Sequence, residues 1–176
     1  MHYWLLNKYY FINSLDTNNI KKCPKDTIII YRNYDFKKIN LLKLLKFKTH
    51  LKKRKIKFLL SNNIKLAVKL GLDGAYIPSF NKDLTHLSYT FNPRFILIGS
   101  AHNLKEIRFK ELQKVHAVFI SSIFKPNKNF LGLNKFKIIS SYTKKKVVAL
   151  GGISKKNINK LNVLNISGFA GISYFS

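Results

Sequence analysis

Short apolar runs that end in Gly, Ser or Asn recur along the chain and constrain its fold more than any other feature. Longer segments with helical spacing of apolar residues separate these runs. This alternation is typical of parallel strands joined by crossover helices, and eight strands suffice to close a barrel. The predicted strands are residues 9–12, 27–31, 56–60, 74–77, 95–99, 117–121, 147–150 and 168–172.

Candidate helices lie between the predicted strands. Asp35 and Asn103 are candidate N-caps, because each side chain can accept a hydrogen bond from an unpaired amide of a first helical turn. The predicted helices are residues 35–51, 63–70, 103–113, 133–142 and 155–161.

The chain has 176 residues, whereas a (β/α)8 barrel usually needs about 200 or more. Residues 13–26 show little apolar periodicity, which predicts that the first crossover is a loop or a single turn. Only a few residues follow the last predicted strand. We therefore expect an α/β fold, a single shortened (β/α)8 TIM barrel over residues 1–176, with its first and last helices reduced or missing.

The chain carries 33 Lys and Arg residues against 7 Asp and Glu residues, a net charge of +26. A basic patch that neutralises phosphates binds nucleic acid without sequence preference. Here the lysines are spread over every segment, with one cluster at residues 52–57, and most aromatic residues lie inside apolar runs. This distribution favours a solvated surface over a nucleic-acid partner. A basic nucleic-acid-binding protein is the less favoured alternative.

No apolar run approaches the roughly 18 residues that a membrane-spanning helix requires. The first 13 residues lack the basic start of a secretory signal. Cys23 is the only cysteine, which excludes an intramolecular disulfide and suits a reducing compartment. We expect a cytoplasmic protein with no membrane partner. Strand faces left uncovered by the missing helices make a homo-oligomer a further expectation.

Glycines follow the seventh and eighth predicted strands, where barrels commonly bind phosphate. Gly151 and Gly152 let the backbone approach an anion closely, and the helix expected after them would point free amides at it. Gly171 and Ser173 are placed to add an amide and a hydroxyl. The alternative is that the glycine pair only forms a tight turn. If the site forms, Gly152→Asp should abolish ligand binding and leave the fold largely intact.

Two further segments place cations at predicted strand ends. Lys125, Asn127 and Lys128 lie in a Pro-containing loop after the sixth strand, where a lysine suits an anionic ligand such as a diphosphate. Arg32 follows the second strand, and a guanidinium group can hold two phosphate oxygens at once. A surface ion pair between Arg32 and Asp35 is the alternative.

Four stretches, in the right order along nearly the whole chain, resemble the thiamine phosphate synthase family, which also contains a thiazole tautomerase branch. They are 71–77 (GLDGAYI), 98–104 (IGSAHNL), 123–128 (IFKPNK) with 131–133 (LGL), and 148–153 (VALGGI). The resemblance implies a TIM-barrel transferase that joins hydroxymethylpyrimidine diphosphate to thiazole phosphate, forming thiamine phosphate and releasing pyrophosphate. In that family Mg²⁺ and basic residues stabilise the departing pyrophosphate.

The resemblance also implies roles for individual residues. Arg32 and Lys128 match basic residues that act on the diphosphate and are the predicted catalytic residues. Tyr34 stands where the family has a second lysine. The predicted substrate-binding residues are Asn62, Ser100, Lys125, Asn127, Gly151, Gly152, Gly171 and Ser173.

The predicted Mg²⁺ site departs most from the family pattern. Asn62 stands at the first acidic position and Asn81 at the second, whereas Mg²⁺ prefers carboxylate oxygens. Asp83 is the remaining candidate ligand, if this loop carries two extra residues. Ser122 replaces the histidine base of the tautomerase branch, so that chemistry is not supported. The alternative to a transferase is a family member that binds a phosphate ester without transferring it.

Overall fold

A computed structural model describes residues 6–21, 23–34, 39–125 and 130–175 of the chain. Eight parallel strands form a closed barrel in sequence order, and β1 pairs with both β2 and β8. The predicted TIM barrel is confirmed, with strand bounds close to those expected. The strands are β1 (Asn7–Ile12), β2 (Thr27–Tyr31), β3 (Phe58–Ser61), β4 (Gly74–Ile77), β5 (Ile96–Ala101), β6 (Ala117–Ser121), β7 (Lys146–Leu150) and β8 (Gly168–Gly171).

The α-helices of the described ranges are α1 (Leu41–Lys53), α2 (Ile64–Lys69), α3 (Leu104–Leu112) and α4 (Gly132–Ser141). Asn103 caps α3 as predicted, since its Oδ1 accepts the Glu106 amide at 2.9 Å. The predicted start of the first helix is wrong, because α1 begins at Leu41 and is capped by Asn40, whose Oδ1 accepts the Lys43 amide at 2.9 Å. The N-cap predicted at Asp35 lies outside the described residues. In this part of the chain no helix is long and apolar enough to cross a membrane.

The first crossover is reduced to one 3-10 turn at Thr17–Ile20, as predicted. Arg54, which ends α1, holds this crossover against the barrel. Its guanidinium donates to the carbonyl oxygens of Ile20, Lys21 and Cys23 at 2.7, 3.3 and 3.1 Å. Three backbone contacts to one side chain therefore replace the missing helix.

The crossover before β8 contains a 3-10 helix at Ile158–Val163, so the α-helix predicted at residues 155–161 is wrong. Its buried residues, Ile158 and Leu161, are three apart, which matches the three residues per turn of a 3-10 helix. After β8 the described chain forms a turn over residues 172–175.

Two apolar cores result from the alternation of side chains along each strand. One lies between the barrel and its helices, and the other fills the barrel interior. The interior is plugged by aromatic rings, with Tyr9 and Phe119 at 4.9 Å and Phe11 and Tyr76 at 5.2 Å between ring centres. Burial raises the pKa of Tyr9 to about 12.

Candidate active site

Polar side chains close the barrel interior at the carboxyl ends of the strands. Ser61 ends β3 on the same side as the interior residue Leu59, and Ser100 lies in β5 on the same side as Ile98. Tyr76 of β4 belongs to the same interior. The barrel therefore has an apolar plug below and a polar layer above, at the end where TIM barrels hold their active sites.

Arg32 follows β2 and lies at this end of the barrel. Its Nε donates to Asn13 Oδ1 at 3.1 Å, and its guanidinium carbon lies 5.8 Å from the ring centre of Phe11. Its two terminal nitrogens make no hydrogen bond to the described residues. Among those residues, nothing occupies the pair of N–H donors that could bind two phosphate oxygens. The alternative ion pair with Asp35 lies outside the described residues.

Tyr76 and Ser100 lie on the neighbouring strands β4 and β5. Burial raises the pKa of Tyr76, and the Ser100 side chain and the charge of Arg32 oppose that rise only in part. Tyr76 is therefore a neutral hydroxyl group at physiological pH. Ser100, a predicted substrate-binding residue, is buried in the same polar layer.

Ser61 has a fully buried hydroxyl oxygen with no hydrogen-bond partner among the described residues. Buried hydroxyl groups are normally paired. Because Ser61 ends β3 and faces the polar layer, it is a candidate for contact with a ligand.

Asn62 and Asn81 are brought together after β3 and β4. The Nδ2 of Asn81 donates to Oδ1 of Asn62 at 2.6 Å. Asn62 has a φ of +59°, a left-handed conformation that Asn tolerates better than most residues. A single hydrogen bond thus joins two neutral amides at the positions where the resemblance places acidic metal ligands, and Asn81 Oδ1 accepts the Asp83 amide.

The donor set at this end does not fit Mg²⁺ well. The carboxylate of Asp83 is exposed and accepts hydrogen bonds from the backbone and side chain of Thr85, which lower its pKa. No group of three or more His, Cys, Asp and Glu residues converges within the described ranges. Since Mg²⁺ prefers carboxylate oxygens, we derive no step through this metal, and the roles of Mg²⁺ and Asp83 stay predictions.

Lys110, on α3, supports the loop that carries Asn81. Its fully buried Nζ donates to the carbonyl oxygens of Pro78 and Asn81, both at 2.8 Å, and to Gln113 Oε1 at 2.7 Å. Gln113 in turn donates to the carbonyl oxygens of Asn81 and Asp83. Burial lowers the pKa of Lys110 to about 8. This network fixes the backbone after β4 from below.

The glycine pair after β7 packs against the loop after β6. A Cβ on Gly152 would lie 1.9 Å from the Lys125 carbonyl oxygen, and one on Gly151 would lie 2.2 Å from Ser122 Oγ. Both glycines have a positive φ, +101° at Gly151 and +69° at Gly152. The expectation that Gly152→Asp leaves the fold intact is therefore wrong, because even a methyl group has no room.

The amides of Gly152 and Ile153 find no acceptor within the described part of the chain. Gly171 of β8 adjoins them, since a Cβ there would lie 3.4 Å from the Ile153 carbonyl oxygen. The helix expected directly after the glycines is absent, and Asn157 shapes this turn by donating to the Gly152 carbonyl oxygen and accepting the Ser154 amide. The available donors are therefore loop amides.

The remaining predicted residues are only partly placed. Lys125 is exposed, with its Nζ 5.7 Å from the ring centre of Phe130. Ser173 is exposed in the turn after β8. Asn127 and Lys128 lie outside the described residues.

Several residues of the site were not predicted. Asn13, Ser61 and Tyr76 sit at strand ends, and the alternation of the strands was the signal that could have identified them. Asn157 lies in a loop and Lys110 on a helix. No local sequence pattern distinguishes either residue from the other asparagines and lysines of the chain.

Known proteins that are similar to this chain agree with the resemblance seen in its sequence. Residues 20–175 match the family described as thiamine monophosphate synthase. The chain is 31% identical over 177 residues to "Putative thiamine-phosphate synthase 2" of Aquifex aeolicus, covering 96% of this chain and 92% of that one. It is 30% identical over 146 residues to the thiamine-phosphate synthase of Pelagibacter ubique, covering 76% and 70%. The solved structure of thiamine phosphate pyrophosphorylase from Pyrococcus furiosus gives a TM-score of 0.75 at 19% identity, covering 95% of this chain and 86% of that chain.

The closed barrel defines a (β/α)8-barrel protein, and its polar layer is a candidate site at the carboxyl ends of the strands. The sequence matches are more specific. The chain belongs to the thiamine monophosphate synthase family, and the resemblance found in the sequence is confirmed.

Proposed function

We propose that this protein is a transferase that joins hydroxymethylpyrimidine diphosphate to thiazole phosphate, giving thiamine phosphate and pyrophosphate. Family membership supports the thiamine-phosphate synthase class of reaction. The observation that carries the proposal is that two separate groups of hydrogen-bond donors suited to anions lie at one end of the barrel. Arg32 lies after β2, and the amides of Gly152 and Ile153, which have no acceptor among the described residues, lie after β7 beside Gly171.

Two such features suit two phosphorylated substrates. The terminal guanidinium nitrogens of Arg32, which bond to none of the described residues, would bind the diphosphate and compensate the charge that grows as pyrophosphate leaves. Lys125 and Lys128, from the loop after β6, would add positive charge on the same group. The amides of Gly152 and Ile153 would hold the single phosphate of the thiazole. Two substrates held in one site react as if they were one molecule.

A direct test mixes the purified chain with both substrates, with and without Mg²⁺, and measures thiamine phosphate. Arg32→Ala should lower the rate by about 100-fold, the usual effect of losing one charge-stabilising donor. Arg108→Ala is the matched control, because Arg108 is an exposed arginine of α3 that pairs with Glu111. Absence of product above the control without enzyme would overturn the proposal.

The Asn62–Asn81 pair favours one alternative, a protein that binds a phosphate ester without transferring it. Calorimetric titration with thiazole phosphate and thiamine phosphate separates the two functions. Binding without product formation supports the alternative, whereas neither binding nor product removes both. A cytoplasmic location and a homo-oligomer remain proposals beside these.

A further inference from the structure

A second concave site lies at the opposite end of the barrel, where the chain enters β3, β4 and β5. We call it the amino-end cavity. It has a volume of about 630 Å³ and is bounded by the end of α1 and the segments before these three strands. The candidate active site lies at the carboxyl ends of the strands, so the two sites are separated by the aromatic plug of the barrel.

Positive charge surrounds the amino-end cavity. Its lining includes five cations and a single carboxylate, that of Asp73. Asp73 already accepts the backbone amide of Phe58 at 2.8 Å. A concave surface with charges of one sign focuses their field and attracts the opposite charge. The five cations are Lys48, Lys52, Lys55, Lys57 and Arg94.

The floor of the cavity is apolar. Ile56, Leu72 and Phe95 line it and are otherwise buried in the outer core. Lys48 lies at the wall, with its Nζ donating to the Leu70 carbonyl oxygen at 2.6 Å. Apolar side chains beside five cations match a ligand that has an apolar part and an anionic part.

We propose that the amino-end cavity binds an organic polyphosphate of the nucleoside diphosphate or triphosphate type. The phosphates would lie among the lysines and Arg94, and the ring system would pack on the apolar floor. The volume falls within the range of about 300–1,000 Å³ that is usual for small-molecule sites. A bounded cavity suits such a molecule better than a continuous nucleic-acid strand, which requires an extended groove.

The test is calorimetric titration of the whole chain with ADP at about physiological salt, with adenosine and pyrophosphate as half-ligands. We expect ADP to bind at least tenfold more tightly than either half. Lys52→Gln/Lys57→Gln should weaken ADP binding about tenfold or more, because charge-assisted contacts to phosphate are lost. The matched control is Lys43→Gln/Lys46→Gln, which removes the same charge from exposed positions of α1 outside the cavity.

The outcomes separate the proposal from its alternatives and from the proposed function. Equal weakening by both double variants would show general attraction to the basic surface and overturn the proposal. Loss of ADP binding in Arg32→Ala would place the nucleotide in the candidate active site and also overturn it. Tighter binding of a single-stranded oligonucleotide than of ADP, or no ADP binding, would have the same effect. None of these measurements depends on formation of thiamine phosphate.

Discussion

Lys110→Met removes a buried ammonium group and keeps a side chain of similar length. Gln113 Oε1 then loses its donor, whereas Pro78 O keeps the Asn81 amide at 3.1 Å and Asn81 O keeps Gln113 Nε2. Losing three charge-assisted bonds costs several kcal/mol, since each is worth about 1.5–3 kcal/mol. Removing a charge that burial disfavours offsets part of this. We expect the free energy of unfolding to fall by about 1–3 kcal/mol at pH 7.

The pH dependence gives a sharper signal. Burial lowers the pKa of Lys110 from 10.5 to about 8, so between these values the unfolded chain holds a proton that the folded chain has lost. Stability of the natural protein therefore rises with pH through this window, by about 1.4 kcal/mol per unit for this group. Below pH 8 the contribution is constant. The methionine variant has no such group.

The assay is urea unfolding, followed by circular dichroism, of both proteins at pH 7 and pH 9.5. The difference in the free energy of unfolding should grow by about 2 kcal/mol at the higher pH. Lys105→Met, an exposed lysine of the same helix, is the control and should show no growth. A difference that is constant or smaller at pH 9.5 would refute a lowered pKa for Lys110.

Three further substitutions test the packing around the two ends of the barrel. Gly99→Ala should destabilise by about 1–3 kcal/mol in urea unfolding, because its Cβ would lie 2.6 Å from Lys110 Cδ. Gly152→Ala should lower the melting temperature as well as ligand affinity, since it meets the Lys125 carbonyl oxygen at a positive φ; loss of affinity alone would contradict this. Arg54→Ala should destabilise by about 1–3 kcal/mol and expose residues 13–26 to proteolysis, because three carbonyl oxygens lose a charged donor. Unchanged cleavage there would refute the role of Arg54.

The strands could be predicted from the sequence because helices and barrel interior cover both of their faces. Thr27–Tyr31 is buried at every position and therefore reads as one apolar run. The start of α1 could not be predicted, because Asp35 and Asn40 are both good caps and Ile39 extends the apolar spacing upstream. Ile39 in fact packs against the outer core before the helix begins.

The parts of the candidate site that lie at strand ends could be predicted from the sequence. The placement of Arg32 and the glycines at one end of the barrel follows because the carboxyl ends of its parallel strands meet there. The contact of Asn62 with Asn81 depends on the path of a loop, which no local pattern encodes. Lys110 resembles every other lysine of the chain. Its one signal was Gly99, since a glycine inside an apolar strand marks a close approach, here that of the Lys110 side chain.

The scarcity of acidic residues accounts for how this protein pairs its cations better than the excess of lysine does. Carbonyl oxygens satisfy the buried ammonium group of Lys110 and the half-buried guanidinium group of Arg54, and these neutral acceptors leave the net charge unchanged. Among the described carboxylates, Asp73 accepts the Phe58 amide and Glu106 accepts the His102 amide at the start of α3. At both ends of the barrel the described residues therefore offer few carboxylates to neutralise the cations, and no group of three or more metal-ligating side chains converges among them. Anionic ligands are the complement that such a charge distribution favours, at the carboxyl end and at the amino-end cavity alike.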